Sequence, residues 1–326
     1  MSIAADVKAR GMEAVREWAV RLDGAEPAPA VPDDAFPARD ALLTLADRVR
    51  RWHELQRPRD VTLEVERGVV LERRWLPLRS VGIYVPRKLV SSLVMCAVPA
   101  QLAGVDSIVV VTPPEGAGMI AAAARELGID EVWALGGAQA IGWLAYVARV
   151  DKIVGAGNAY VNEAKLEVSR DVAIDLPAGP SEVVVLATNG ADRAIVELEL
   201  AAQAEHGPDS VCRVVGSLEE AEEAAPEHLV LLGPDAEELA RRVRNAGAVF
   251  VGASSPVAAG DYATGGNHVL PTGGWARSSG GLGLETFLKP VTIQRLTPQG
   301  LATVRPVVEA LAGVEGMPAH AAAVRR

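Results

Sequence analysis

The sequence predicts an α/β chain built on mainly parallel sheets. Short runs of β-branched and apolar residues recur along it, and amphipathic helical patterns separate them, as expected for strands covered on both faces. With 326 residues and 49% hydrophobic content the chain exceeds what one core usually supports, so two domains are expected.

Residues 1–75 read as mostly helical, interrupted by the proline-rich stretch AEPAPAVPDDAFP. Their charged tail, DRVRRWHELQRPRD, reads as a solvated face and places His53 at the surface. Strand-like runs follow at 80–85 (SVGIYV), 107–112 (SIVVVT), 130–135 (DEVWAL), 182–187 (EVVVLA), 228–232 (HLVLL) and 248–252 (AVFVG). Helical patterns lie between them, for instance at 116–127 and 192–205. The most apolar stretch, 89–105, is broken by Ser91, Ser92, Pro99 and Gln101, which fits a buried helix better than a membrane span. From Gly280 the alternation fades into a small C-terminal segment.

Composition excludes several classes. A net charge of −10 leaves no basic stripe for nucleic acid. The charged, amphipathic start reads as neither a signal peptide nor an anchor. Cys96 and Cys212 sit in apolar runs without CxxC spacing and read as buried thiols of a reducing compartment, hence a cytoplasmic enzyme. Neither GxGxxG before a helix nor GxxxxGK[ST] is present. The glycine-rich turns are GGAQA (136–140), GAGNAY (155–160) and PAGPSE (177–182); each is an ordinary connecting loop or part of a ligand cleft.

Four of the five histidines stand in polar clusters within apolar sequence: QAEHG (Gln203, His206), PEHL (Glu227, His228), GDYATGGNH (Asp261, His268) and EGMPAH (Glu315, His320). Imidazole titrates near neutrality and is the commonest metal ligand, so the clusters point to one metal and acid/base site. Gln203 and His206, three apart, share the last turn of a helix that Asp192 caps and Gly207-Pro208 ends. With Asp261 on a glycine-bounded turn and a further imidazole they form a nitrogen and oxygen set suited to zinc; otherwise they merely satisfy a helix C-terminus. Glu227-His228, after Pro226, is either a general acid/base pair or a solvated pair in a helix–strand turn.

The segments AAQAEHGPDS, PEHL, AGDYATGGNHVLPT, PAGPSEV, GGAQAI, DKIVGAGNAYV and PAHAAAV together resemble the histidinol dehydrogenase family, collinearly over nearly the whole chain. The resemblance implies two Rossmann-like domains, incomplete and doubly wound, plus a small C-terminal segment. Residues 1–82 would join 183–279 as a metal-binding catalytic domain, 83–182 would bind NAD, and 280–326 would serve dimerisation and the active site. It implies one zinc ion per site on Gln203, His206, Asp261 and His320, and acid/base roles for Glu227 and His228. Substrate contacts fall on Ser181, His268 and Glu315 as well as on these six residues, and NAD contacts on Tyr84, Gln139 and Asn158. The implied reaction takes L-histidinol through bound L-histidinal to L-histidine, in a homodimer whose tails complete each other's sites.

Three departures from the family pattern stand out. The loop after Tyr84 runs YVPRKLVSS without its usual glycines, the stretch from His206 to Glu227 lacks about one strand–helix unit, and Ala156 replaces a proline. Two other readings remain: a relative oxidising another small alcohol with NAD, against which Glu315 and His320 speak, and a non-catalytic binding protein, against which Glu227-His228 speaks.

Overall fold

A computed structural model of the chain describes residues 1–177 and 179–325. They form two compact units, Met1–Gln56 with Leu78–Phe287, and Arg57–Pro77 with Leu288–Arg326.

The chain opens with helices α1 (Ile3–Arg10) and α2 (Met12–Leu22), a two-residue strand β1 (Ala28–Pro29) and α3 (Arg39–Glu54). Strands β2 (Val61–Glu66) and β3 (Val69–Pro77) come next. There follow β4 (Ser80–Tyr84), α4 (Val90–Ala103), β5 (Ser107–Thr112), α5 (Ala117–Glu126) and β6 (Val132–Ala134). Helix α6 (Gly137–Gly142), prolonged by a π-helical turn, leads to β7 (Lys152–Val154), α7 (Ala159–Val168) and β8 (Ala173–Ile174).

These strands of the larger unit form one sheet in the order β1-β6-β5-β4-β7-β8, parallel except for β1. Counted from β4, the order reverses between β4 and β7. An open sheet of this kind has its ligand crevice there, beyond the carboxyl ends of the strands. Helix α4 is apolar on all sides, and Ser92–Ala100 is buried throughout. Helices α1 and α2 insert Ala4, Val7, Ala14, Val15 and Ala19 into the same core as Val109, Val111, Leu144 and Ile153, so the N-terminal helices pack on this first sheet.

A second parallel sheet begins with β9 (Glu182–Ala187), α8 (Arg193–Ala204), β10 (Val211–Val215), α9 (Leu218–Ala224) and β11 (His228–Leu232). It ends with α10 (Ala236–Ala240), β12 (Ala248–Val251) and the short α11 (Val257–Tyr262). The strand order is β10-β9-β11-β12. Val184, Leu186, Leu229 and Leu231 feed one core and Val183, Val185, Val230 and Leu232 another, so the central strands are buried on both faces, as their unbroken apolar runs require. Edge strand β10 is exposed over Val211–Val214.

The smaller unit is an antiparallel sheet, β13-β3-β2, with β13 spanning Leu288–Leu296, followed by α12 (Pro298–Val314) and α13 (Pro318–Ala323). Its three strands were not expected from the sequence, and the C-terminal residues pair with β3 rather than standing alone. Two further expectations are corrected. His53 is fully buried, because the last turn of α3 turns inward and its Nδ1 meets the Val49 carbonyl at 2.7 Å. Cys212 is exposed, because β10 is an edge strand, while Cys96 is buried. Among the described residues no helix is long and apolar enough to cross a membrane.

Candidate active site

The polar clusters of the larger unit meet at the amino ends of the second sheet's strands. Glu227 stands in the turn before β11 and His228 is that strand's first residue; they are 7% and 3% exposed. Glu227 Oε2 accepts the Ser181 hydroxyl at 2.6 Å and the Glu182 N–H at 2.8 Å. His228 Nδ1 lies 3.1 Å from the Glu182 carbonyl, which can only accept, so the network assigns the proton to Nδ1. Nε2 is then bare. It is buried without a hydrogen-bond partner and lies 4.0 Å from Asp261 Oδ1. Burial raises the Glu227 carboxyl to about 7, although Ser181 and Glu182 pull it down. Burial lowers His228, with Asp261 the chief opposing influence.

Gln203 is buried in the last turn of α8, whose start Asp192 caps by accepting the Ala194 N–H. Its Nε2 donates to Ser181 Oγ at 2.9 Å, leaving the amide oxygen for a ligand. Ser181 therefore joins Gln203 to Glu227. His206 lies just past the helix and is exposed, yet it acts electrostatically on His228, Asp261 and His268. Asp261 sits on α11, not on the glycine-bounded turn expected. Glu199, one turn before Gln203 on α8, fixes α11 by accepting the Val257 N–H at 3.2 Å. Burial raises Asp261, against His228 and His206. His268 Nδ1 meets the Asp261 carbonyl at 3.1 Å, and its Nε2 lies 3.4 Å from Ser92 Oγ on α4. Burial takes His268 down to about 4.

Glu315 and His320 belong to the smaller unit, at the end of α12 and on α13, and both are exposed. Among the described residues no three His, Cys, Asp or Glu side chains form a metal cage. Of the expected set, Gln203 is an amide and lies outside such a grouping, and His320 belongs to the smaller unit. The amide oxygen of Gln203, the imidazole of His206 and the carboxylate of Asp261 are donors that zinc accepts, so the residues fit that ion.

The expected cofactor residues lie at carboxyl ends of the first sheet. Tyr84 closes β4 and its hydroxyl accepts the Gly137 N–H at 3.2 Å. Gln139 is fully buried; its Nε2 donates to Asp23 Oδ2 at 3.0 Å, while its Oε1 has no partner. Asn158, exposed, caps α7 by accepting the Val161 N–H at 3.1 Å. The clusters of the larger unit thus resolve into two groups, one per parallel sheet, and α4 touches both through Tyr84's strand and His268.

A family model for histidinol dehydrogenase matches residues 1–223 and 216–326. The chain belongs to the histidinol dehydrogenase family. The relative from Methanosarcina barkeri (strain Fusaro / DSM 804) is 38% identical over 99% of this chain and 90% of its own. The one from Mycobacterium tuberculosis (strain ATCC 25618 / H37Rv) is 39% identical over 99% and 89%. A crystal structure of histidinol dehydrogenase from Elizabethkingia anophelis superposes with a TM-score of 0.89 at 32% identity, covering 99% of this chain and 90% of that one. Membership makes the chain an oxidoreductase. The alignment to the Methanosarcina family member runs over 390 positions, more than this chain's 326 residues, and the two family matches meet on α9. That is the region where the sequence pattern is short and where β10 is left exposed.

Residues that sequence reasoning missed are those that hold others in place: Glu199, Asp23, Ser92 and His53. Glu199 carried a usable signal, a carboxylate four residues before Gln203 and so on the same helix face. Asp23, Ser92 and His53 act across long separations that no local pattern reveals.

Proposed function

We propose that this chain oxidises L-histidinol to L-histidine through bound L-histidinal, in the cytoplasm, as a zinc- and NAD-dependent homodimer. The observation that carries this reading is His228: its Nδ1 is committed to a carbonyl and its bare Nε2 points into a buried polar site, the arrangement of a general base. In the first oxidation Nε2 takes the hydroxyl proton as hydride leaves the carbinol carbon. Glu227, whose Oε2 lies 3.5 Å from His228 Nδ1, then takes a proton from water as the oxygen attacks the aldehyde carbon. His228, having passed its first proton to solvent, accepts the remaining hydroxyl proton of the hydrate anion as the second hydride leaves, and the carboxylate remains.

Tyr84, Gln139 and Asn158 would hold NAD, which when bound would supply the acceptor for one hydride in each oxidation. Gln203, His206, Asp261 and His320 would hold zinc, which when bound would supply orientation of the substrate. Ser181, His268 and Glu315 complete the substrate contacts.

The smaller unit supports the dimer. Val61, Leu63 and Val65 on β2 and Val307, Leu311 and Val314 on α12 are more than half exposed, more apolar surface than so small a unit leaves uncovered alone. A second copy covering it would bring a tail bearing Glu315 and His320 to each site.

The test is NADH formation, followed by absorbance, with histidinol and zinc-loaded protein. Two NADH per histidinol are expected, and a chelator should abolish the signal. Zinc-loaded, folded protein that forms no NADH from histidinol overturns the proposal.

A further inference from the structure

The larger unit contains a buried ion pair that the chemistry above does not use. Lys165 on α7 and Asp175 just after β8 are each 2% exposed in their side chains and lie 2.5 Å apart. Both close on one residue. Lys165 Nζ donates to the Gly155 carbonyl at 2.8 Å, and Asp175 Oδ2 accepts the Gly155 N–H at 2.7 Å. Asp175 Oδ1 also accepts the Leu176 N–H at 2.7 Å, which fixes the carboxylate.

Gly155 is pressed from its other side as well. Its φ is +108°, and a Cβ there would stand 2.1 Å from the Tyr84 carbonyl oxygen. The peptide thus rests against the carboxyl end of β4 and is gripped by opposite charges on both its polar atoms. From it the turn runs to Asn158 at the head of α7, and Asn162 secures the middle by donating to the Gly157 carbonyl at 3.0 Å. This is the crevice where the strand order reverses, between β4 and β7.

Desolvating two charges merely to hold a fold is a poor use of them, since apolar residues of similar volume often serve as well or better. What apolar side chains cannot do is bond the N–H and C=O of a glycine peptide. We infer that Lys165 and Asp175 are positioning residues for the cofactor, setting the Gly155–Asn158 turn so that NAD finds a preformed surface. The inference rests on the proposal that NAD binds at Tyr84, Gln139 and Asn158. The pair touches neither substrate nor reacting atoms.

The experiment compares the double variant Lys165→Met/Asp175→Leu with Asn158→Ala and the unaltered protein, all zinc-loaded. For each, KM for NAD, KM for histidinol and kcat are measured, with thermal unfolding as a check on the fold. The double variant puts apolar side chains in place of both charges, so it should fold while freeing the Gly155 peptide. KM for NAD should rise tenfold or more, with KM for histidinol within about twofold of normal. A merely structural pair would leave that ratio unmoved. If Asn158→Ala raises KM for NAD and the folded double variant does not, the positioning role is overturned and the cofactor site stands. If neither moves it, both are overturned. Should the double variant not fold, Asp175→Asn carries the same test, with at least a threefold rise expected and an unchanged KM for NAD overturning the inference.

Discussion

At the scale of single residues, one short segment gives two neighbours opposite tendencies. Burial pushes Glu227 up to about 7 and His228 down, so the carboxyl favours its protonated form and the imidazole its neutral form. A neutral imidazole is ready to accept a proton well into mildly acidic solution. The carboxylate needed for water activation is lost as the pH falls through about 7. The two oxidations should therefore separate in pH: aldehyde oxidation should decline below pH 7 while alcohol oxidation persists lower. Glu227→Gln should chiefly impair aldehyde oxidation, and His228→Asn should depress both steps by about two to four powers of ten. Single-turnover measurements starting from histidinol and from histidinal distinguish the steps. Mild and equal losses from both substitutions, within about threefold of normal, would remove these roles.

At the scale of elements, α8 organises the corner proposed to bind the metal. Its buried face presents Gln203 to Ser181 and Glu199 to the first N–H of α11, which carries Asp261. Replacing His206 with Asn should release zinc and abolish activity while leaving the fold intact, because the apolar cores of the second sheet lie elsewhere. Metal analysis of the purified variant decides it, and full zinc occupancy would place the ion on other residues. Glu199→Ala should weaken zinc retention more mildly, since it loosens α11 without removing a ligand.

These elements also show what the sequence makes legible. Strands β5, β9 and β11 were readable to the residue, because a strand buried on both faces is an unbroken apolar run. Strand β2 was overlooked although Val61, Leu63 and Val65 alternate with Thr62, Glu64 and Glu66. That period of two is the mark of a half-covered strand, and the charged stretch before it masked the signal. Strands β7 and β8, of three and two residues, are too short for any periodicity. The site clusters were visible as polar islands in apolar sequence. The inward turn of His53 was not, since beside the local Val49 carbonyl its ring meets Asn267, 214 residues away.

At the scale of the whole molecule, the proposed site takes Glu315 and His320 from the smaller unit and its other members from the larger. The smaller unit exposes apolar residues on β2, α12 and before α13, where Met317 is 45% exposed. A segment this thin holds a metal ligand in place only by docking. If it docks on a second copy, each site takes Glu227, His228, Gln203, His206 and Asp261 from one subunit and Glu315 and His320 from the other. Two inactive variants, His228→Asn and His320→Asn, should then complement one another. After dissociation and reassembly of an equal mixture, half the dimers are mixed, and each mixed dimer holds one site with both residues intact and one with neither. About a quarter of normal activity should return. With the tail serving its own subunit, every site in every dimer would lack one residue. Mixtures that stay inactive, while mass measurement shows that mixed dimers form, would rule out the shared site.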